Sequence, residues 1–250
     1  MIRLENLTLG YGDKSLIDGV STEFCRGKLT ALIGRNGSGK STLLRAISAL
    51  GEILNGKVYL GDKELSTIEP QEMARLISLV TTERVRIANL RCRDVVALGR
   101  APYTNWIGKM QREDSEIVMQ SLERVGMSDY ALRTMDTMSD GECQRIMIAR
   151  ALAQQTPIIL LDEPTSFLDL PNRYELCTLL AELAHNEDKC ILFSTHELDI
   201  ALSVSDTTAL LDSPHLHHLT TSSMTQSGYI ERLFNNKSVL FNIVDRVINK

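Results

Sequence analysis

Gly34-Arg35-Asn36-Gly37-Ser38-Gly39-Lys40-Ser41 is the stretch on which the fold turns. It fits G-x-x-x-x-G-K-[ST] at every fixed position. Glycines allow a tight loop whose amide hydrogens converge on phosphate oxygens. Leu29-Thr30-Ala31-Leu32-Ile33, just before it, is a compact apolar strand, and Ser41 to Leu50, just after it, has helical spacing and is stopped by Gly51. A helix starting there adds its positive dipole end and its unpaired N–H groups, close to Thr42. Lys40 reaches the terminal phosphates, and the Ser41 hydroxyl is placed to ligate Mg²⁺. The flanking strand and helix distinguish the motif from a chance glycine-rich turn.

Further along, Ile158-Ile159-Leu160-Leu161 is an apolar run that ends in Asp162-Glu163-Pro164-Thr165. Residues 173–185 have helical spacing, and Cys190-Ile191-Leu192-Phe193-Ser194-Thr195 is a second apolar strand ending at His196. Strand, helix, strand reads as a parallel βαβ unit. Open sheets of this kind bind ligands beyond the carboxyl ends of their strands. Three strand ends are therefore expected to present Gly34, Asp162 and His196 on one rim. Asp162 suits the Mg²⁺ shell, Glu163 a general base for an attacking water, and His196 a sensor of the γ-phosphate. An isolated Asp-Glu is more often a solvated strand end, and an isolated histidine more often a cap or core residue. Their common placement favours the catalytic reading.

Two further segments carry a family resemblance. Met138-Ser139-Asp140-Gly141-Glu142-Cys143-Gln144-Arg145 resembles the signature sequence of ATP-binding-cassette proteins, and Ser166-Phe167-Leu168-Asp169 resembles the loop after their Walker B strand. Tyr11 matches the aromatic that stacks on adenine in that family. The resemblance covers roughly residues 2–211 and its motifs come in family order. It implies an α/β P-loop NTPase core with a parallel sheet, a small N-terminal antiparallel β subdomain and an inserted helical subdomain. Over 1–250 it implies one ATPase domain, with core at about 1–82 and 154–215, helical subdomain at 83–153, and tail at 212–250.

ATP and Mg²⁺ are the implied ligands, and ATP hydrolysis is the implied activity. In the family two cassettes pair head to tail, so Ser139, Gly141, Glu142 and Asp169 are expected to close over the nucleotide of a second copy. Ser139 and Glu142 also form an S-x-x-E capping box, which marks a helix start and hence an anion site. The chain departs from the family twice. Asp140 stands where glycine is usual, and the glutamine expected near residues 77–84 is missing. Aligning Ile77-Ser78-Leu79-Val80 with the preceding strand puts Thr82 at that position and Glu83 next to it. Both are carried as candidate metal-shell residues, Glu83 preferred for its length and charge.

Val95-Val96-Ala97-Leu98-Gly99-Arg100-Ala101-Pro102-Tyr103-Thr104-Asn105-Trp106 resembles the equivalent stretch in cassettes of iron-siderophore, haem and cobalamin importers. The implied partners are an integral-membrane permease and, indirectly, a substrate-binding protein. An exporter's cassette and a soluble non-transport cassette are the alternatives. Arg84, Arg86, Arg91, Arg93 and Arg100 make this region basic, as a solvated face or as a contact for the permease's cytoplasmic loops. The net charge of −5 gives no reason to expect nucleic acid. The apolar runs are far short of the ~20 residues that span a bilayer. The opening Met1-Ile2-Arg3-Leu4-Glu5 alternates like an edge strand and lacks a signal-peptide core. The expected place is the cytoplasmic face of the cell membrane. Five widely spaced cysteines read as reduced structural thiols. His215, His217 and His218 lack the spacing of a helical metal site.

Overall fold

The structure is a computed structural model that describes residues 1–12, 14–83, 88–104 and 110–234. Strand β1 (Ile2–Tyr11) pairs antiparallel with β2 (Lys14–Phe24) and with β4 (Asn55–Leu60), and β5 (Lys63–Glu64) extends the sheet in the order β2-β1-β4-β5. β1 is thus an inner strand, not the edge strand its alternation suggests. Alternation reports one buried face, here Ile2, Leu4, Leu7 and Leu9, and says nothing about which edges are paired.

The second sheet is built on β3 (Lys28–Gly34). Its other members are β6 (Ile77–Val80), β7 (Ile158–Leu161), β8 (Cys190–Ser194), β9 (Thr207–Asp212) and β10 (His215–Thr220), in the order β10-β9-β3-β8-β7-β6. All its pairings are parallel except β9 with β10. The continuous apolar runs follow from burial of both faces. Ala31, Ile33, Ile159, Leu161, Ile191 and Phe193 enter one core; Leu32, Leu160 and Leu192 enter the other. The second core is closed by the antiparallel sheet and α1 (Lys40–Ile47), whose Leu43, Leu44, Ala46 and Ile47 are buried.

α2 (Pro70–Leu76) packs Met73 and Leu76 against that second core, while the opposite, helical face carries α3 (Cys92–Ala97), α4 (Arg112–Arg124), α5 (Asp140–Ala153), α6 (Leu170–Asn186), α7 (Leu198–Val204), α8 (Thr221–Gln226) and α9 (Tyr229–Phe234). Val95, Val118, Leu122, Ile146 and Ala149 from the inserted helices share one core with β3, β7 and β8. Residues 212–234 also belong to the folded core, with β10 in the sheet and Met224, Ile230 and Leu233 packed beneath it. Their pattern escapes sequence reading because β10 is a partly exposed edge strand of histidines and threonines. Among the described residues no helix is long and apolar enough to cross a membrane.

Candidate active site

β3 delivers Gly34 to the rim, and α1 begins six residues later at Lys40. The N-cap is Gly39 at φ 107°, a left-handed conformation that a side chain resists, and an added Cβ would come within 3.2 Å of Leu16 Cβ. No side chain caps α1, and no acidic residue occupies its first turn. Its N-terminal amides therefore keep their full pull on an anion. The buried Ser38 hydroxyl has no hydrogen-bond partner within the chain. Glycine conformation, uncapped helix and orphan hydroxyl together fit a phosphate group.

Lys40 is buried, and its Nζ donates to Gly34 O at 3.0 Å and Arg35 O at 3.3 Å. Burial pulls its pKa down, while the charges of Glu163 and Asp162 push it up. Removal from water thus outweighs the two carboxylates, and a phosphate beside it would restore the balance. Asp162 ends β7, buried, and accepts from Ser194 Oγ at 2.6 Å; the same oxygen accepts from Glu163 N–H at 2.9 Å. Ser194 thus joins the ends of β7 and β8. Only its place as a polar residue ending an apolar strand could have marked it in the sequence. Glu163 has φ 48°, a left-handed conformation that costs about 1–2 kcal/mol for a residue with a Cβ. Its Oε1 lies 3.7 Å from His196 Nδ1.

Tyr11, Asn36, Gly37, Gly39, Lys40, Ser41, Thr42, Glu163 and His196 line one cleft of about 590 Å³ with Leu16. The Tyr11 hydroxyl lies 3.2 Å from Thr42 Oγ1, and the residue is 67% exposed, which leaves room for its ring to stack on a base. The Arg35 guanidinium turns away and donates through Nη2 to Leu233 O of α9, a tether no motif announces.

Ser139, Gly141, Glu142 and Asp169 line a different cleft, of about 670 Å³, with Asp140, Arg145 and Phe167. Within one chain, then, the signature and the phosphate loop do not meet. The capping box forms as expected: Glu142 N–H donates to Ser139 Oγ at 3.3 Å, and Glu142 Oε2 accepts from Ser139 N–H at 2.8 Å. The Ser139 amide and hydroxyl hold the Glu142 carboxyl below its ordinary pKa. Asp169 caps α6 by accepting from Asn172 N–H at 3.2 Å. Gly141 is required by close approach, since a Cβ there would sit 3.0 Å from Phe167 O.

Thr82 and Glu83 line neither cleft. Glu83 pairs with Arg45 at 3.2 Å, both side chains exposed. Arg100 is no part of a basic face: it is buried, bonded to Asp114 Oδ1 at 2.9 Å, Ala153 O at 2.8 Å and Gln155 Oε1 at 2.8 Å. Charge in the sequence does not reveal burial, and the partner carboxylate is fourteen residues away. Asn105, Trp106, Arg84 and Arg86 lie outside the described residues. Among the described residues no group of three or more His, Cys, Asp or Glu side chains is placed to hold a metal by itself. His218 sits between Thr22 Oγ1 at 2.9 Å and Thr207 Oγ1 at 3.1 Å, while His217 stacks on Tyr229.

Comparison with known proteins agrees with this geometry. Residues 17–166 match the family model described as ABC transporter. The chain is 36% identical over 201 residues to the iron(3+)-hydroxamate import ATP-binding protein of Bacillus subtilis, covering 80% of this chain and 75% of that protein. It is also 36% identical over 200 residues to the ferric enterobactin transport ATP-binding protein of Escherichia coli, covering 80% and 74%. Among solved structures it resembles a metal-chelate type ABC transporter in an inward-facing conformation, with TM-score 0.82, 28% identity, and 94% and 88% of the two chains covered. It also resembles a dimeric ATP-binding cassette bound to ADP and Pi in a post-hydrolysis state, with TM-score 0.78, 25% identity, and 88% and 99% covered. A phosphate loop, a carboxylate pair and a histidine on one rim, with a signature helix on a separate cleft, thus place the chain in the ABC transporter family, as an ATP-hydrolysing cassette.

Proposed function

We propose that this cassette drives uptake of a ferric chelate, of the siderophore, haem or related class, through a separate permease, working as a head-to-tail pair on the membrane's cytoplasmic face. The observation that carries the pairing is the separation of the two clefts. A phosphate loop in one cleft and an anion-binding helix start in another make a complete site only when two copies face each other. The solute class rests on the relatives, which are named for iron(3+)-hydroxamate and ferric enterobactin transport. A groove of about 440 Å³ between core and inserted helices, flanked by exposed Leu50 and Leu98, supports a permease contact beside the resembling segment 95–104.

In this reading the amides of the loop and of α1 hold the phosphates, and Lys40 leaves its two carbonyls for them. Ser41 and Asp162 would hold Mg²⁺, which supplies charge screening on the phosphates when bound. Glu163 takes the proton of the attacking water, and His196, beside it, contacts the terminal phosphate. Substrate-binding protein and permease complete the importer.

Uptake of iron-55 chelate by cells deleted for this chain tests the reading. Wild type should restore uptake. Lys40→Ala should not, for loss of a charge-assisted contact worth roughly 1.5–3 kcal/mol. Glu163→Gln should not either, because general-base removal lowers turnover about 10²–10⁴-fold. Deletion that leaves uptake intact but slows efflux would mean an exporter.

A further inference from the structure

Arg173, in the first turn of α6, and Glu197, next to His196, serve neither cleft. The Glu197 side chain is only 12% exposed. Its Oε2 accepts from Thr165 Oγ1 at 3.0 Å, and its Oε1 pairs with Arg173 Nη1. Arg173 Nε in turn donates to Leu168 O at 2.6 Å. Glu197 N–H donates to Thr195 Oγ1 at 3.1 Å, which fixes the turn that carries His196. One ion pair thus ties together the turn after Glu163, at Thr165 and Leu168, the residue after His196, and the start of α6. The same turn lies against the signature, because Leu168 Cδ2 and Phe167 O are the atoms nearest the space above Gly141.

Glu163 occupies a strained left-handed conformation, and such a conformation persists only where surrounding contacts hold it. From this geometry we propose that Arg173 and Glu197 form a positioning clamp. It holds Glu163 and His196 in register for hydrolysis and links their cleft to the start of α5. The clamp rests on the roles assigned above to Glu163 and His196. Neither of its own residues touches substrate.

The test uses the full chain with Mg-ATP, measuring kcat, ATP affinity by equilibrium titration, and melting temperature. Arg173→Ala and Glu197→Ala should each lower kcat about 10- to 100-fold, the scale of a misplaced catalytic group, and leave ATP affinity unchanged. The double variant should be no worse than the poorer single, because the two residues act as one unit. Glu197→Gln, which keeps an acceptor for Thr165, should recover part of the loss. Hydrogen exchange at residues 141–145 should respond to ATP in wild type and not in Arg173→Ala. Thr165→Val, which removes one hydroxyl, should show a smaller kcat loss and decides the matter if the alanine variants do not fold. Wild-type kcat in the folded variants overturns the clamp, as does a parallel fall of kcat, ATP affinity and melting temperature. A Glu163→Gln chain run alongside separates the two levels: full activity there overturns the roles of the site itself, whereas an inactive Glu163→Gln beside unaffected clamp variants overturns only the clamp.

Discussion

At Lys40 the chain buries an ammonium that has only two backbone carbonyls to hold it. That is a poor substitute for water, which is why burial lowers its pKa despite two nearby carboxylates. The residue is poised for a ligand richer in charge than a carbonyl. Glu83 poses the opposite question. Its partner Arg45 is exposed, and exposed pairs of this kind are worth about 0–1 kcal/mol, so the carboxylate is cheaply released toward the rim. If it takes the role of the missing glutamine, Glu83→Gln keeps permease-stimulated ATPase activity and Glu83→Ala loses it. Steady-state ATPase assays with reconstituted permease read this directly. Wild-type behaviour of Glu83→Ala beside a defective Thr82→Ala would move the role to Thr82.

The helix starts show how elements make sites. α1 lacks a side-chain cap, whereas α5 and α6 are capped by Ser139 and Asp169. In the proposed reading the uncapped start receives the phosphates of the nucleotide in its own chain's cleft. The Ser139 box instead fixes the geometry of α5 in advance, and Glu142 adds an anion at the positive end of the dipole. Glu142 has its pKa depressed below 4.5, with the Ser139 amide as first cause and the Ser139 hydroxyl as second. Its stabilisation is therefore complete above pH 4.5 and is lost as the pH falls through the lower, folded value. Glutamine keeps the box but not the charge, so Glu142→Gln should cost about 0.3–1 kcal/mol at pH 7. Urea midpoints of the two proteins should converge as the pH falls through that folded value. A gap that persists undiminished in acid would mean the charge contributes nothing.

On the scale of the molecule, the six-stranded sheet separates two cores, and its C-terminal rim is where they leave room for a ligand. The signature residues line a separate cleft, so in the proposed head-to-tail pair activity would belong to two copies. Mixing Ser139→Arg chains with Lys40→Ala chains should restore ATPase activity, because one composite site per mixed pair combines an intact loop with an intact signature. A mixture of wild type with the Ser139→Arg/Lys40→Ala double variant leaves no intact site in the mixed pair and serves as the control. Mixed pairs that form and stay inactive would mean that the site is not shared or that one site cannot turn over alone.

Local chemistry determined much of this protein before any folding. The loop at 34–41 requires its strand and helix; the apolar runs at 158–161 and 190–193 require burial on both faces; Ser139 and Glu142 require a helix start. Each depends on residues within a few positions of one another. The tertiary structure decided the rest, because it depends on residues far apart in the chain. β1 became an inner strand when β4 paired with its free side. Arg100 left solvent because Asp114 and the Ala153 carbonyl offered it partners. Glu83 found Arg45. Arg173 and Glu197, twenty-four residues apart, met across the rim, and only the order of strands in the sheet brings their turns together.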